Sequence, residues 1–189
     1  MLSTGCSNIR KAETPTISIN ENSEYETTFN ELNLGVVMDF DFHLPDADKR
    51  WVNLWVERYK DGKKDPESLT HLSYGSIPSD SEEGNLGFGM INPNAEDTMV
   101  FLYGPGVKVQ PSKIDKEFKT NMISTWDYAI GKGKVKLELG KTKILAAYRE
   151  SDSDTVSTVD FQDMESVERM IEQDDTVLLL KIKVEGVRD

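Results

Sequence analysis

Three segments of this chain alternate apolar and polar residues with a period of two, and that pattern restricts the fold more than any other feature. In residues 34–43, Leu34, Val36, Met38, Phe40 and Phe42 fall on one side, while Asp39, Asp41 and His43 fall on the other. Residues 50–59 set Val52, Leu54 and Val56 against Trp51, Asn53, Trp55, Glu57 and Tyr59, and residues 176–184 put Leu178, Leu180, Ile182 and Val184 on a single side. Successive side chains of a strand point to opposite faces, so this spacing predicts strands that bury one face in a sheet. Further runs at 70–77, 86–92, 98–103, 121–130, 134–139 and 142–149 read as strands too. Between them stand turn residues such as Asp61-Gly62, Asn92-Pro93-Asn94 and Gly104-Pro105-Gly106, which supply the backbone angles that reversals need.

Two of these segments carry further expectations. Residues 134–139 and 142–149 read as a hairpin about Gly140. In residues 86–92, Leu86, Phe88 and Met90 share one side and the other holds only Gly87 and Gly89. Glycines in a strand mark a bulge or the close approach of a neighbour. One segment has helical spacing: Phe161, Met164, Val167, Met170 and Ile171 recur every three or four residues, with Asp160 or Asp163 placed to cap the first turn. Strands do not alternate with helices, which disfavours a parallel α/β architecture. The expectation is an all-β fold: an antiparallel two-sheet sandwich or a partly open barrel of about nine strands, with one α-helix near residues 160–173.

The first 28 residues look different. From Ser7 to Thr28 the chain is rich in Ser, Asn, Glu and Thr, with isolated Ile9, Ile17 and Ile19, a composition that reads as linker. Residues 1–28 are therefore expected to be a signal remnant and flexible polar linker, and residues 29–189 a single β-rich domain. The one cysteine, Cys6, follows Leu2-Ser3-Thr4-Gly5. That stretch resembles the end of a bacterial lipoprotein signal, in which a small residue precedes a cysteine that receives a diacylglyceryl group; Ser3 stands where such signals carry an aliphatic residue. The resemblance implies a lipid anchor on Cys6, attachment to the extracellular face of the cytoplasmic membrane, and cell-envelope or protein partners.

Charge narrows the partners. With 34 acidic and 22 basic residues the net charge is −12, which repels nucleic acid on average. One cysteine excludes an internal disulfide. Gly140-Lys141-Thr142 matches the end of a phosphate-binding loop, but Val135 occupies the position of its first glycine and a strand follows instead of a helix. No Gly-x-Ser-x-Gly elbow is present, and no cofactor motif is found.

Two constellations remain. Asp39, Asp41 and His43 project from one face of a strand, and carboxylates with an imidazole suit a divalent ion. Residues two apart on a strand stand about 6–7 Å from one another, so one ion reaches all three only across a bulge. Trp51, Trp55 and Tyr59 form an aromatic row opposite Val52, Leu54 and Val56, a platform for a sugar ring or an apolar partner. These residues point to a surface-tethered, non-enzymatic binding or interaction domain. The alternative is an extracellular hydrolase or metal-dependent enzyme using Asp39, Asp41 and a histidine, His43 or His71.

Overall fold

The computed structural model describes residues 13–115, 122–153 and 155–186. Two antiparallel sheets face each other across one apolar core, making a sandwich and not a closed barrel. The first sheet holds β1 (Thr16–Ile19), β2 (Gly35–Pro45), β6 (Ser81–Ile91), β7 (Met99–Gly104), and the two-residue strands β8 (Val107–Lys108), β9 (Ser112–Lys113) and β11 (Val135–Lys136). The second holds β3 (Arg50–Lys60), β4 (Lys63–Lys64), β5 (Thr70–Gly75), β10 (Ile123–Tyr128), β12 (Thr142–Ser151) and β13 (Thr176–Gly186). Their orders are β11-β1-β2-β6-β7-β8, with β9 also on β7, and β10-β12-β13-β3-β4, with β5 also on β3. Among the described residues nine strands exceed two residues; eight of them fall on segments where alternation predicts a strand, the ninth is β1, and the expected strand 134–139 is reduced to the two-residue β11.

The period-two pattern places the core as expected. Val52, Leu54 and Val56 of β3 are fully buried, and they face Phe40, Phe42, Leu86 and Phe88 from the first sheet within one cluster. Each such side chain contributes about 1.5–3 kcal/mol by leaving water, which ties the two sheets together without a disulfide. Asp61 and Gly62 take positive φ of 46° and 75° at the β3–β4 turn, the conformation that Asp-Gly favours.

Among the described residues, two α-helices lie on the outer faces. One, α2 (Met164–Gln173), is capped by Asp163, whose side chain accepts from Glu165 N, and it lays Val167 and Met170 over Ala147, Val177 and Leu179 of the second sheet. The other is α1 (Glu24–Glu31); its first five residues, and all of β1, fall within the stretch 1–28 that the composition predicts to be linker. Ile17 of β1 is 1% exposed within the main core, and β1 pairs with β2 from Thr16↔His43 to Ile19↔Phe40. Four residues are too few for a clear periodicity, and the partner that buries Ile17 comes from tertiary pairing. The part of the expected linker that precedes residue 13, Cys6 included, lies outside the described residues.

The hairpin about Gly140 is a second correction. Val135 and Lys136 pair with Ile17 and Thr16 of the first sheet, whereas β12 pairs with β10 and β13 of the second. Gly140, at φ +76°, lies between strands of different sheets, and its N–H donates to Val184 O. The alternation of Val135 and Leu137 is real, but it serves a crossing segment. Among the described residues no helix is long and apolar enough to cross a membrane.

Candidate functional site: an aromatic groove on the first sheet

The side of β6 that sequence leaves bare is the foundation of the site. Across the sheet, Tyr103 of β7 pairs with Gly87 of β6, which pairs with Asp39 of β2; one step along, Phe101 pairs with Gly89, which pairs with Val37. With no Cβ at 87 or 89, each ring from β7 lies down across β6. A Cβ built on Gly89 would stand 2.0 Å from the Phe101 ring, and one on Gly87 would stand 2.4 Å from the Tyr103 hydroxyl. Glycine is required here for close approach and not for an unusual φ.

Helix α1 covers the far side of these rings. Tyr25 and Phe29, one turn apart, match the two-residue spacing of Tyr103 and Phe101, since i,i+4 on a helix and i,i+2 on a strand span similar distances. Tyr25 meets Tyr103 edge to face, with centroids 5.5 Å apart and planes at 84°. Phe29 meets Phe101 at 5.9 Å and 43°, while Phe101 and Tyr103 lie side by side at 6.1 Å and 32°. Phe101 and Tyr103 thus form a floor, and Tyr25 and Phe29 form a wall. The groove between this wall and the Gly104–Lys108 segment has a volume of about 670 Å³, with Glu83, Asn85 and Lys108 among its polar residues. That volume is within the range of small-molecule sites, about 300–1,000 Å³.

Asp39 locks the floor to the wall. It is 0% exposed, and every contact to its carboxylate comes from a neutral donor. Asn20 Nδ2 at 2.9 Å, Ser23 Oγ at 2.6 Å and Asn85 Nδ2 at 2.8 Å donate to Oδ2, and Tyr103 Oη donates to Oδ1 at 2.8 Å. Its backbone N–H donates to Tyr128 Oη at 3.2 Å. Ser23 is also the N-cap of α1, accepting from Glu26 N at 3.1 Å, so one hydroxyl ends the helix and fastens it to β2. Burial, with the Asp39 carboxylate second, raises the pKa of the Tyr103 hydroxyl well above its usual range. Burial likewise pushes Tyr128 up to about 12, against the lowering contact from the Asp39 amide.

The structure separates the three residues of the expected metal site. Asp39 is buried under α1 and committed to its donors, Asp41 is exposed, and His43 Nδ1 sits 2.8 Å from Glu83 Oε1. N–H and O–H groups aimed at a carboxylate present positive ends where a cation would have to sit. His71 belongs to β5, in the other sheet. Among the described residues no group of three His, Cys, Asp or Glu side chains is placed to hold a metal ion.

Trp51, Trp55 and Tyr59 do share the outer face of β3, but a charged centre breaks the row. Glu57, nearly buried between them, accepts from Trp55 Nε1 (3.1 Å), Tyr59 Oη (2.9 Å), Lys64 Nζ (2.8 Å) and Lys181 Nζ (2.7 Å). Trp51, 39% exposed, donates from Nε1 to Ser73 Oγ at 2.7 Å, and Tyr59 packs beneath α2. Burial by itself would raise the Glu57 carboxyl, but the four donors outweigh it and lower its pKa from 4.5 to about 2. A carboxyl held below its unfolded value stabilises the fold fully above that value and loses the contribution as pH falls through the folded one. Thermal unfolding followed from pH 5 to pH 2 should therefore show a loss of stability between about 4.5 and 2 that Glu57→Gln flattens. An unchanged slope in the variant would mean the lysines contribute nothing.

Asn20, Ser23, Asn85 and Tyr103 belong to the candidate site and are positions that sequence reasoning passes over. Only the glycine pair signals them, through its match in spacing to Phe101 and Tyr103. No family model matches this chain, and no curated protein or solved structure matches it.

Proposed function

We propose that this chain is a non-catalytic binding domain, tethered to the outer face of a bacterial cytoplasmic membrane through a lipid on Cys6, and that its ligand occupies the aromatic groove. The observation that carries the binding reading is the glycine-cleared floor: two strand positions lack side chains so that two rings lie flat under a wall of two more. Rigid rings supply contact area at little conformational cost, and a mostly apolar cleft with a few polar groups is the usual form of a ligand site. The polar side chains nearest the floor are already engaged. Tyr103 and Asn85 hold Asp39.

Amide-resolved NMR of the domain, titrated with a fragment library, tests the site. Shifts are expected to cluster at residues 25–29, 84–89 and 101–108. Clustering on the outer face of β3 around Trp51 and Trp55 would move the site there, and no saturable shift anywhere would remove the binding reading. The tether has a separate readout. Mass spectrometry of the protein recovered from bacterial envelopes should show a diacylglyceryl group on Cys6, and an unmodified Cys6 thiol would eliminate the lipid anchor.

A further inference from the structure

The groove's electrostatics narrow its ligand, on the premise that the groove is the binding site. Asp39 lies at the hydroxyl end of the floor ring Tyr103, fully buried, with no Lys or Arg partner among the described residues. Buried charges are ordinarily paired, and here four neutral donors satisfy the carboxylate's hydrogen bonds without cancelling its charge. Because Tyr103 donates to Asp39 at 2.8 Å, negative charge is shared toward the ring that forms the floor, which deepens the attraction of its face for a cation. The faces of Phe101 and Tyr103 lie side by side, and Tyr25 stands nearly perpendicular to Tyr103. A compact cation resting on the floor against the wall therefore meets more than one ring within the roughly 6 Å over which cation–π attraction acts.

The surroundings agree in sign. Helix α1 brings Glu24 and Glu26 in its first turn and no basic residue in its last, and Glu83 lines the groove. The charge of −12 concentrates cations near the surface in general. Lys108, at the groove's edge, is the one opposing charge among the lining residues. A strongly hydrated metal ion would find no oxygen cage on this floor. A weakly hydrated one, whose charge is spread over alkyl groups, loses little by leaving water and gains the apolar contact as well.

We infer that the groove binds an organic monocation of the alkylammonium class, seated on the Phe101–Tyr103 floor against Tyr25 and Phe29, with the buried charge of Asp39 completing its recognition. Whether the ammonium belongs to a free small molecule or to a methylated side chain of a polypeptide, the chemistry recognised is the same.

The decisive comparison uses choline and its neutral isostere 3,3-dimethylbutan-1-ol, which replaces the nitrogen with carbon in the same shape. NMR titrations of the intact domain at low ionic strength, with sodium chloride as the salt control, should show choline shifting amides at 25–29, 87–89 and 101–103, with a Kd at least about tenfold below that of the alcohol. Tyr103→Phe keeps the ring and removes the bond to Asp39; it should weaken choline about threefold and leave the alcohol unchanged. Lys108→Gln, at an exposed edge that does not risk the fold, should strengthen choline about twofold and not the alcohol. Trimethyllysine in a short peptide binding more tightly than choline would assign the polypeptide source, and the reverse the free molecule. Equal affinity for choline and the alcohol within the groove would overturn the cation inference while leaving the binding site standing. Fragments shifting the groove amides while neither probe does so would have the same effect. No groove shifts from either probe or from any fragment would remove the site itself.

Discussion

Asp39→Ala is expected to destabilise the fold by about 3–5 kcal/mol, an unusually large effect for one polar side chain. The substitution removes the acceptor for Asn20, Ser23, Asn85 and Tyr103 together, and each buried donor left unpaired costs about 1–3 kcal/mol less whatever water recovers. The loss should be concentrated. Ser23 would keep its cap on Glu26 N but lose its bond to β2, and since none of the residues of α1 is buried, the helix would be left with its ring contacts to Tyr103 and Phe101. Hydrogen exchange should accelerate at the amides of residues 24–31 more than at those of the core strands. Asp39→Asn, which keeps the shape but turns one acceptor into a donor facing other donors, should fall between, near 2 kcal/mol. A change below about 1 kcal/mol for Asp39→Ala in urea unfolding would mean that the network is incidental.

Gly89→Ala is the second large effect, expected to cost about 3 kcal/mol although it adds a single methyl group. That methyl would occupy the Phe101 ring, at 2.0 Å, and neither neighbour yields easily: β6 is paired on both sides and the ring is backed by Phe29. Overpacking of this kind ordinarily costs about 1–3 kcal/mol. Phe101→Ala alone should also destabilise, by about 2 kcal/mol through lost contact, yet the double variant should be more stable than the sum of the two predicts by at least about 1 kcal/mol, since removing the ring vacates the space the methyl needs. Strict additivity would show that the glycine serves the backbone and not the ring. Binding should report the same coupling, because Gly89→Ala displaces the floor on which the ligand rests.

Much of the scaffold is legible in the residues. The alternation of Val52, Leu54 and Val56, or of Leu178, Leu180, Ile182 and Val184, names the buried face because a strand has only two faces and one must leave water. Asp163 as the cap of α2 follows from local chemistry in the same way. The outer layer is less legible. Tyr25 and Phe29 stand in a polar run whose mean character is that of a linker; they become a helix face because Ser23 finds Asp39, sixteen residues on, and because two rings on β7 lie ready to meet them. Val135 and Leu137 alternate like a hairpin strand, but Val135 pairs with Ile17 and Leu137 N–H donates to Pro15 O, partners that only the assembled sandwich brings near.

Asp39 states the division most clearly. Its place on the polar side of β2 is set by its neighbours Met38 and Phe40, and the charge of −12 and the lone cysteine at position 6 are likewise matters of sequence alone. That this polar position is buried under α1, at the hydroxyl end of Tyr103 and with no basic partner among the described residues, was decided by tertiary structure. Local periodicity assigns a side chain to a face through the fixed geometry of the backbone, whereas burial depends on what another part of the chain lays over that face. Here the cover is α1 and the rings that Gly87 and Gly89 admit, contacts whose energy exists only once residues far apart in the chain, such as Ser23 and Asp39 or Tyr25 and Tyr103, have met.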